Sequence, residues 1–279
     1  MHFASLHSCK KGTPLSTAGY AGRYAQKDIG NWGDQMRKLS IIGVGLAALI
    51  FTGTAFAYTH VFWLSTIEYS DFNNVSEKIY IDPGVDREEY KGVLDLLSRS
   101  KDRIIEKYGS FSATPTIVIT GTTKNSKKYG LGVFPGKAFA APWEEYIVIN
   151  NQTMDINVLA HELMHAQMRD VLGYWAYQTK IPTWFDEGVA MQVDYRERYE
   201  VDYKLFDQRE IERVKTLNSP SKFWTSTKEQ DVKNYRGAKA AVQEIWGIYS
   251  PKTLYSMLLR VRQGEKFETV FSTSTKDAS

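Results

Sequence analysis

Cysteine is almost missing from this chain: the one present, Cys9, lies near the N-terminus. The body therefore has no intrachain disulfide, no cysteine-based zinc knuckle and no catalytic thiol. Histidine is nearly as scarce. Of the five, His2 and His7 lie in the N-terminal tail and His60 in an uncharged stretch, which leaves only His161 and His165 in the body. The body cannot supply a three-histidine metal site, so a third protein ligand beside that pair has to be a carboxylate. A basic footprint is lacking too. Residues 1–38 carry six basic and two acidic side chains, and the remainder 29 basic and 30 acidic. A near-neutral body argues against nucleic acid as a partner. With 43% hydrophobic and 13% aromatic residues, the chain is not a disordered one and can bury a sizeable core.

Charge is also absent from Leu39 to Ile67. About 20 apolar residues cross a bilayer as a helix, so this stretch is long enough. Arg37 and Lys38 precede it and Glu68 and Asp71 follow it. The positive-inside tendency then puts the N-terminus in the cytoplasm and the body outside. Ala55-Phe56-Ala57 offers a second reading, a small-x-small cleavage site after an apolar run, which would release the body as a secreted protein. Met36-Arg37-Lys38 just before the run offers an alternative start, a point that N-terminal sequencing of the native protein decides. The expected organisation is a basic tail (1–38), one transmembrane or signal helix (39–67) and a single folded domain (68–279).

Within that domain, Lys78–Ile81, the β-branched run Thr116–Thr120 and Tyr146–Asn150 read as strands. Asp86–Tyr108 has helical apolar spacing and stops at Gly109. Thr122–Tyr129 reads as a polar loop, Gly130–Pro142 as irregular and Leu172–Ile181 as an aromatic connector. Helices are expected over 154–170 (capped by Thr153 or Asp155), 186–195, 204–217 and 234–249, and the segments 251–262 and 265–271 close the domain. Strands before and helices after give an α+β plan.

His161-Glu162-Leu163-Met164-His165 lies on the first of those later helices. Residues four apart share a helix face, separated by about 6 Å along the axis, so two imidazoles can converge on one metal ion. Glu162, next to the first histidine, stands beside the metal instead of ligating it and is placed to take a proton from the attacking water. Ile156, Leu159 and Leu163 form the stripe expected to face the core.

Twenty-two residues after His165 comes Glu187, inside Trp184-Phe185-Asp186-Glu187-Gly188-Val189-Ala190. Alone, Glu187 reads equally as an acid at a helix start, favoured by the helix dipole. The paired elements resemble the gluzincin metallopeptidases, the thermolysin-like and aminopeptidase-like zinc enzymes. That resemblance implies a zincin-like domain with a small mixed sheet, an active-site helix and a helical C-terminal region. It implies one Zn2+ held by His161, His165 and Glu187, with peptide or protein as substrate. Asp186 is the competing ligand and otherwise a capping or supporting acid, and Gly188 would let the second helix pack closely on the first. The region from Asn234-Tyr235-Arg236-Gly237-Ala238 to Gly264 and Phe267 is similar to the gluzincin C-terminal helices, which makes Tyr235 the candidate oxyanion donor beside the catalytic Glu162. Glu144–Ile149 falls where these enzymes place a substrate-pairing edge strand. The G-x-M-E-N element that captures a free N-terminus is absent, which points away from exopeptidase activity; Glu144 or Glu145 could take that role but read more simply as surface acids at a strand start. The rival reading is a non-catalytic, zinc-stabilised binding or assembly module of the cell envelope on the same fold.

Overall fold

The computed structural model describes residues 36–40 and 59–272. Residues 36–40 are helical, and the chain from Thr59 onward forms a separate compact unit. Most of the uncharged stretch, 41–58, lies outside the described residues. Among the described residues no helix is long and apolar enough to cross a membrane. Residues 59–67, counted with that stretch on sequence grounds, belong to the folded unit as helix α1 (Thr59–Ser65) and a short 3-10 turn (Ile67–Tyr69).

The unit is α+β, built on one five-stranded sheet. Its strands are β1 (Asn73–Ser76), β2 (Ile79–Ile81), β3 (Thr116–Thr120), β4 (Gly136–Ala140) and β5 (Glu145–Asn150), in spatial order β1-β2-β3-β5-β4. The three central strands run parallel and both edges are antiparallel. Side chains alternate across a strand, and both faces of this sheet are apolar, so both have to be covered. Ile117, Ile119, Ile147 and Ile149 point into the main core, with α2 (Tyr90–Tyr108) and α4 (Ile156–Leu172). Val118, Tyr146 and Val148 point the other way, onto Val61 and Leu64 of α1 and onto Phe72, Tyr129 and Leu131. Removing each such aliphatic side chain from water contributes about 1.5–3 kcal/mol.

Beyond β1, which was not expected, several further segments differ from their sequence reading. The polar stretch before Gly130 contains helix α3 (Thr123–Lys128). The Thr122 hydroxyl caps it by accepting from the Asn125 N–H, and Ser126 turns inward to bond Thr120. The Gly- and Ala-rich segment that follows contains β4, whose conformation is set by antiparallel pairing with β5 from Gly136↔Ile149 to Ala140↔Glu145 and not by its own propensity. This makes β4 the sheet edge and places β5 inside the sheet, so the Glu144–Ile149 segment is not the edge strand expected. The aromatic connector is largely helix α5 (Tyr174–Lys180).

Helices follow the sheet: α6 (Thr183–Ala190), α7 (Gln208–Lys215), α8 (Pro220–Phe223), α9 (Lys228–Trp246), α10 (Leu254–Arg262) and α11 (Phe267–Val270). Helix α4 starts at Asp155, whose carboxylate accepts from the N–H groups of Asn157 and Val158. It is buried on all sides from Val158 to Met168, not along a single stripe, because the sheet and α2 cover one side and α6 and α10 the other. Gly188 of α6 lies against α9 and not α4: a Cβ there would stand 2.5 Å from the Ala238 carbonyl oxygen and 2.7 Å from Val242 Cγ2. Gly188→Ala is expected to destabilise the fold by about 1–3 kcal/mol through forced separation of these helices, read as a lower denaturant midpoint.

Candidate metal centre

One turn of α4 puts His161 and His165 on the same side, and α6 brings Glu187 to face both. The two imidazole Nε2 atoms are 3.1 Å apart, and Glu187 Oε2 lies 3.4 Å from that of His161 and 3.7 Å from that of His165. Ligands at about 2.0–2.2 Å around a tetrahedral zinc ion are separated from one another by roughly 3.3 Å. The three spacings therefore match one small metal ion at the centre of the triangle. All three side chains are buried, and Glu187 Oε2 has no hydrogen-bond partner among the described residues. A buried carboxylate oxygen left without a donor is costly unless a cation completes it. The group fits a metal ion.

Each histidine is backed by a second carboxylate. Asp186 Oδ1 lies 3.1 Å from His165 Nδ1, and the Tyr177 hydroxyl donates to Asp186 Oδ2 at 2.7 Å. Asp186 thus supports a histidine and is not the competing ligand: its oxygens face Nδ1 and not Nε2. Asp194 Oδ2 lies 3.9 Å from His161 Nδ1. The Arg196 guanidinium clasps Asp194, donating through Nε to Oδ1 at 2.9 Å. Burial works against the charge on Asp194, but Arg196 outweighs it and holds the carboxyl below the usual range. Asp186, 3.1 Å from His165 Nδ1, favours the tautomer that leaves Nε2 free for metal, whereas Asp194 stands too far from His161 Nδ1 for a hydrogen bond. Asp186→Asn is therefore expected to weaken metal binding about 10–100-fold, measured by competition with a chromogenic chelator.

These residues open onto a cavity of about 560 Å³. Edge strand β4 forms one wall through Gly136, Lys137, Ala138 and Ala140. Glu162 lies on the cavity wall beside Ala138 of β4. Burial raises the Glu162 pKa, partly offset by the histidines. Strand and helix approach closely here because residue 136 is glycine: a Cβ would stand 2.9 Å from Glu162 Cγ. On the opposite wall Tyr235 is half-buried, its ring 6.2 Å from that of His161. The Trp224 indole N–H donates to the Tyr235 hydroxyl oxygen at 2.9 Å, so the phenol proton is left to point elsewhere. Burial and the nearby Glu187 push the Tyr235 pKa well up, which keeps that proton in place.

Glu145 is not a surface acid. It is buried in the cavity wall with Arg169 Nη1 2.8 Å away, and burial lifts its carboxyl to about 8 in spite of that partner. Glu144 turns outward to Lys78 at 2.8 Å. The sequence pointed to none of Tyr177, Asp194 or Trp224, and β4 was missed with them. Tyr177 and Trp224 meet the site only through the tertiary fold, and Asp194 follows Glu187 by seven residues, beyond the helix that carries it.

Neither a protein-family model nor a curated protein matches this chain.

Proposed function

We propose that this protein is a gluzincin-type metallopeptidase with a zincin-like fold, which binds one zinc ion and hydrolyses peptide bonds in an exported or membrane-tethered setting. The observation that carries the reading is the triangle of His161, His165 and Glu187 with Glu162 beside it on an open cavity. Two histidines and one carboxylate leave a fourth position open, the pattern of a catalytic and not a structural zinc site. A buried structural module would have no use for an unligated glutamate next to the metal or for a cavity in front of it, which disfavours the binding-module alternative. The free side of β4 offers backbone N–H and C=O groups to an extended peptide, and β4 lines the cavity. The uncharged residues 39–58 are still about long enough to serve as the tether.

The metal, when bound, polarises the scissile carbonyl and makes water acidic. The residues of the chain do the rest. Glu162 takes a proton from the attacking water and returns it to the leaving amine. The Tyr235 hydroxyl donates a hydrogen bond to the oxyanion of the tetrahedral intermediate. Asp186 orients the His165 imidazole from its Nδ1 side. Tyr235→Phe is expected to lower kcat about 10²-fold with metal content unchanged.

Metal analysis and hydrolysis of casein by the purified full chain test the reading. One zinc per chain, activity lost to a chelator and activity regained on adding zinc are expected. A chain with no stoichiometric metal and no chelator-sensitive hydrolysis would sink it.

A further inference from the structure

Helix α1 is apolar on both sides. Val61 and Leu64 are buried on the sheet, yet Phe62 and Trp63 on the outer side are 60% and 42% exposed. Lys128 of α3 sits with its Nζ 4.5 Å over the Trp63 ring. The His60 ring packs 4.6 Å from Phe139, and Lys137 Nζ lies 5.0 Å from Phe139 and 5.9 Å from Phe134. Through these contacts α1 joins the loop that carries Val133 and Phe134, 93% and 53% exposed. From Gly121 to Trp143 the sequence has four lysines and no acidic residue. Lys124, Lys127, Lys128 and Lys137 are all exposed.

We propose that this aromatic and basic face, α1 with α3 and the Val133–Phe134 loop, docks on a lipid bilayer containing anionic headgroups. Soluble proteins rarely leave large apolar side chains adjoining one another on the surface without a partner. The composition is that of a membrane interface, where Trp and Phe enter the headgroup zone and lysines meet anionic phosphates. The covalent arrangement selects lipid over a protein partner: α1 lies at the C-terminal end of the uncharged stretch Leu39–Ile67, directly after its residues 39–58. A chain tethered by residues 39–58 would bring α1 within reach of a bilayer, and attraction of the lysines to anionic headgroups would then dock this face on it. The inference rests on the tethering part of the proposed function and not on hydrolysis at the metal site. Its consequence for function is positional. Phe134 and Lys137 also line the cavity, so the cavity opens next to the docked face and meets chains at the membrane surface.

The test uses the full chain in phosphatidylcholine vesicles with and without phosphatidylglycerol, each doped with shallowly brominated lipid. Tryptophan emission is expected to be quenched, more so with phosphatidylglycerol, and Trp63→Phe should remove most of the quenched component. Joint replacement of Lys124, Lys127 and Lys128 by glutamate should abolish the phosphatidylglycerol dependence. Quenching that is the same in Trp63→Phe, or the same in both lipids, overturns the proposal. So does a Trp63 shielded from lipid and from an aqueous quencher alike, which would mean that protein covers the face. Flotation with vesicles separates the two ideas: a chain that floats with Trp63 unquenched refutes the docking alone, and one that does not float refutes the tether as well.

Discussion

Glu162→Gln is expected to leave one metal per chain and to lower peptide hydrolysis by about 10²–10⁴-fold, the usual contribution of a positioned acid–base group. Glutamine keeps the side-chain volume and shape against Gly136, so β4 and α4 should stay in place. Only the capacity to take up and return a proton is lost. Neither metal ligation nor the fold depends on that capacity, because the three facing ligand atoms belong to His161, His165 and Glu187. Metal analysis alongside kcat on a fluorogenic peptide separates this from a general defect. Turnover equal to wild type would remove Glu162 from the mechanism. Loss of metal together with activity would make it a structural residue.

How much of this could be read in advance depended on where each signal lies in the chain. His161 and His165 were legible because a metal site on one helix face needs i, i+4 spacing, and that spacing is written in sequence. Glu187 was legible through its local setting and through the lack of any other histidine in the body. The parallel strands were legible from their β-branched runs, Thr116–Thr120 and Tyr146–Asn150. β4 was not. Gly136-Lys137-Ala138-Phe139-Ala140 has little strand propensity, and pairing with β5 decides its conformation. The edge was thus assigned to the wrong strand, and with it the wall of the cavity. Gly188 was read as letting α6 pack on α4, but the helix it meets is α9, about 50 positions on, which no local pattern names. Asp194 depends on the chain turning back after α6, and Trp224 on α8 meeting α9, so neither had a local signature.

Replacing Glu187 with glutamine should weaken metal binding by more than about 100-fold, beyond the 10–100-fold cost of losing an outer partner of a ligating histidine. The same change should alter the pH response of the metal-free protein, and the sign can be worked out. Burial alone would lower the His165 pKa, but the carboxylates of Asp186 and Glu187 outweigh it and hold the imidazole up to about 10. The unfolded chain has its histidines near about 6.5. The folded state therefore binds a proton that the unfolded state has released across the window between these values. Stability from this group is fully present below about 6.5 and is lost as pH rises through about 10. Metal uptake by the wild type must expel that proton, so apparent affinity should rise by about tenfold per pH unit in the neutral range. In Glu187→Gln one of the three carboxylates that raise His165 (Asp186, Glu187 and Glu162) is gone. Its metal-free form should lose stability at lower pH than metal-free wild type, measured as denaturant midpoints between about pH 6 and 10. Coincident profiles would mean that the Glu187 carboxylate does not face His165 as the geometry requires, and the third ligand would then have to be sought at Asp186.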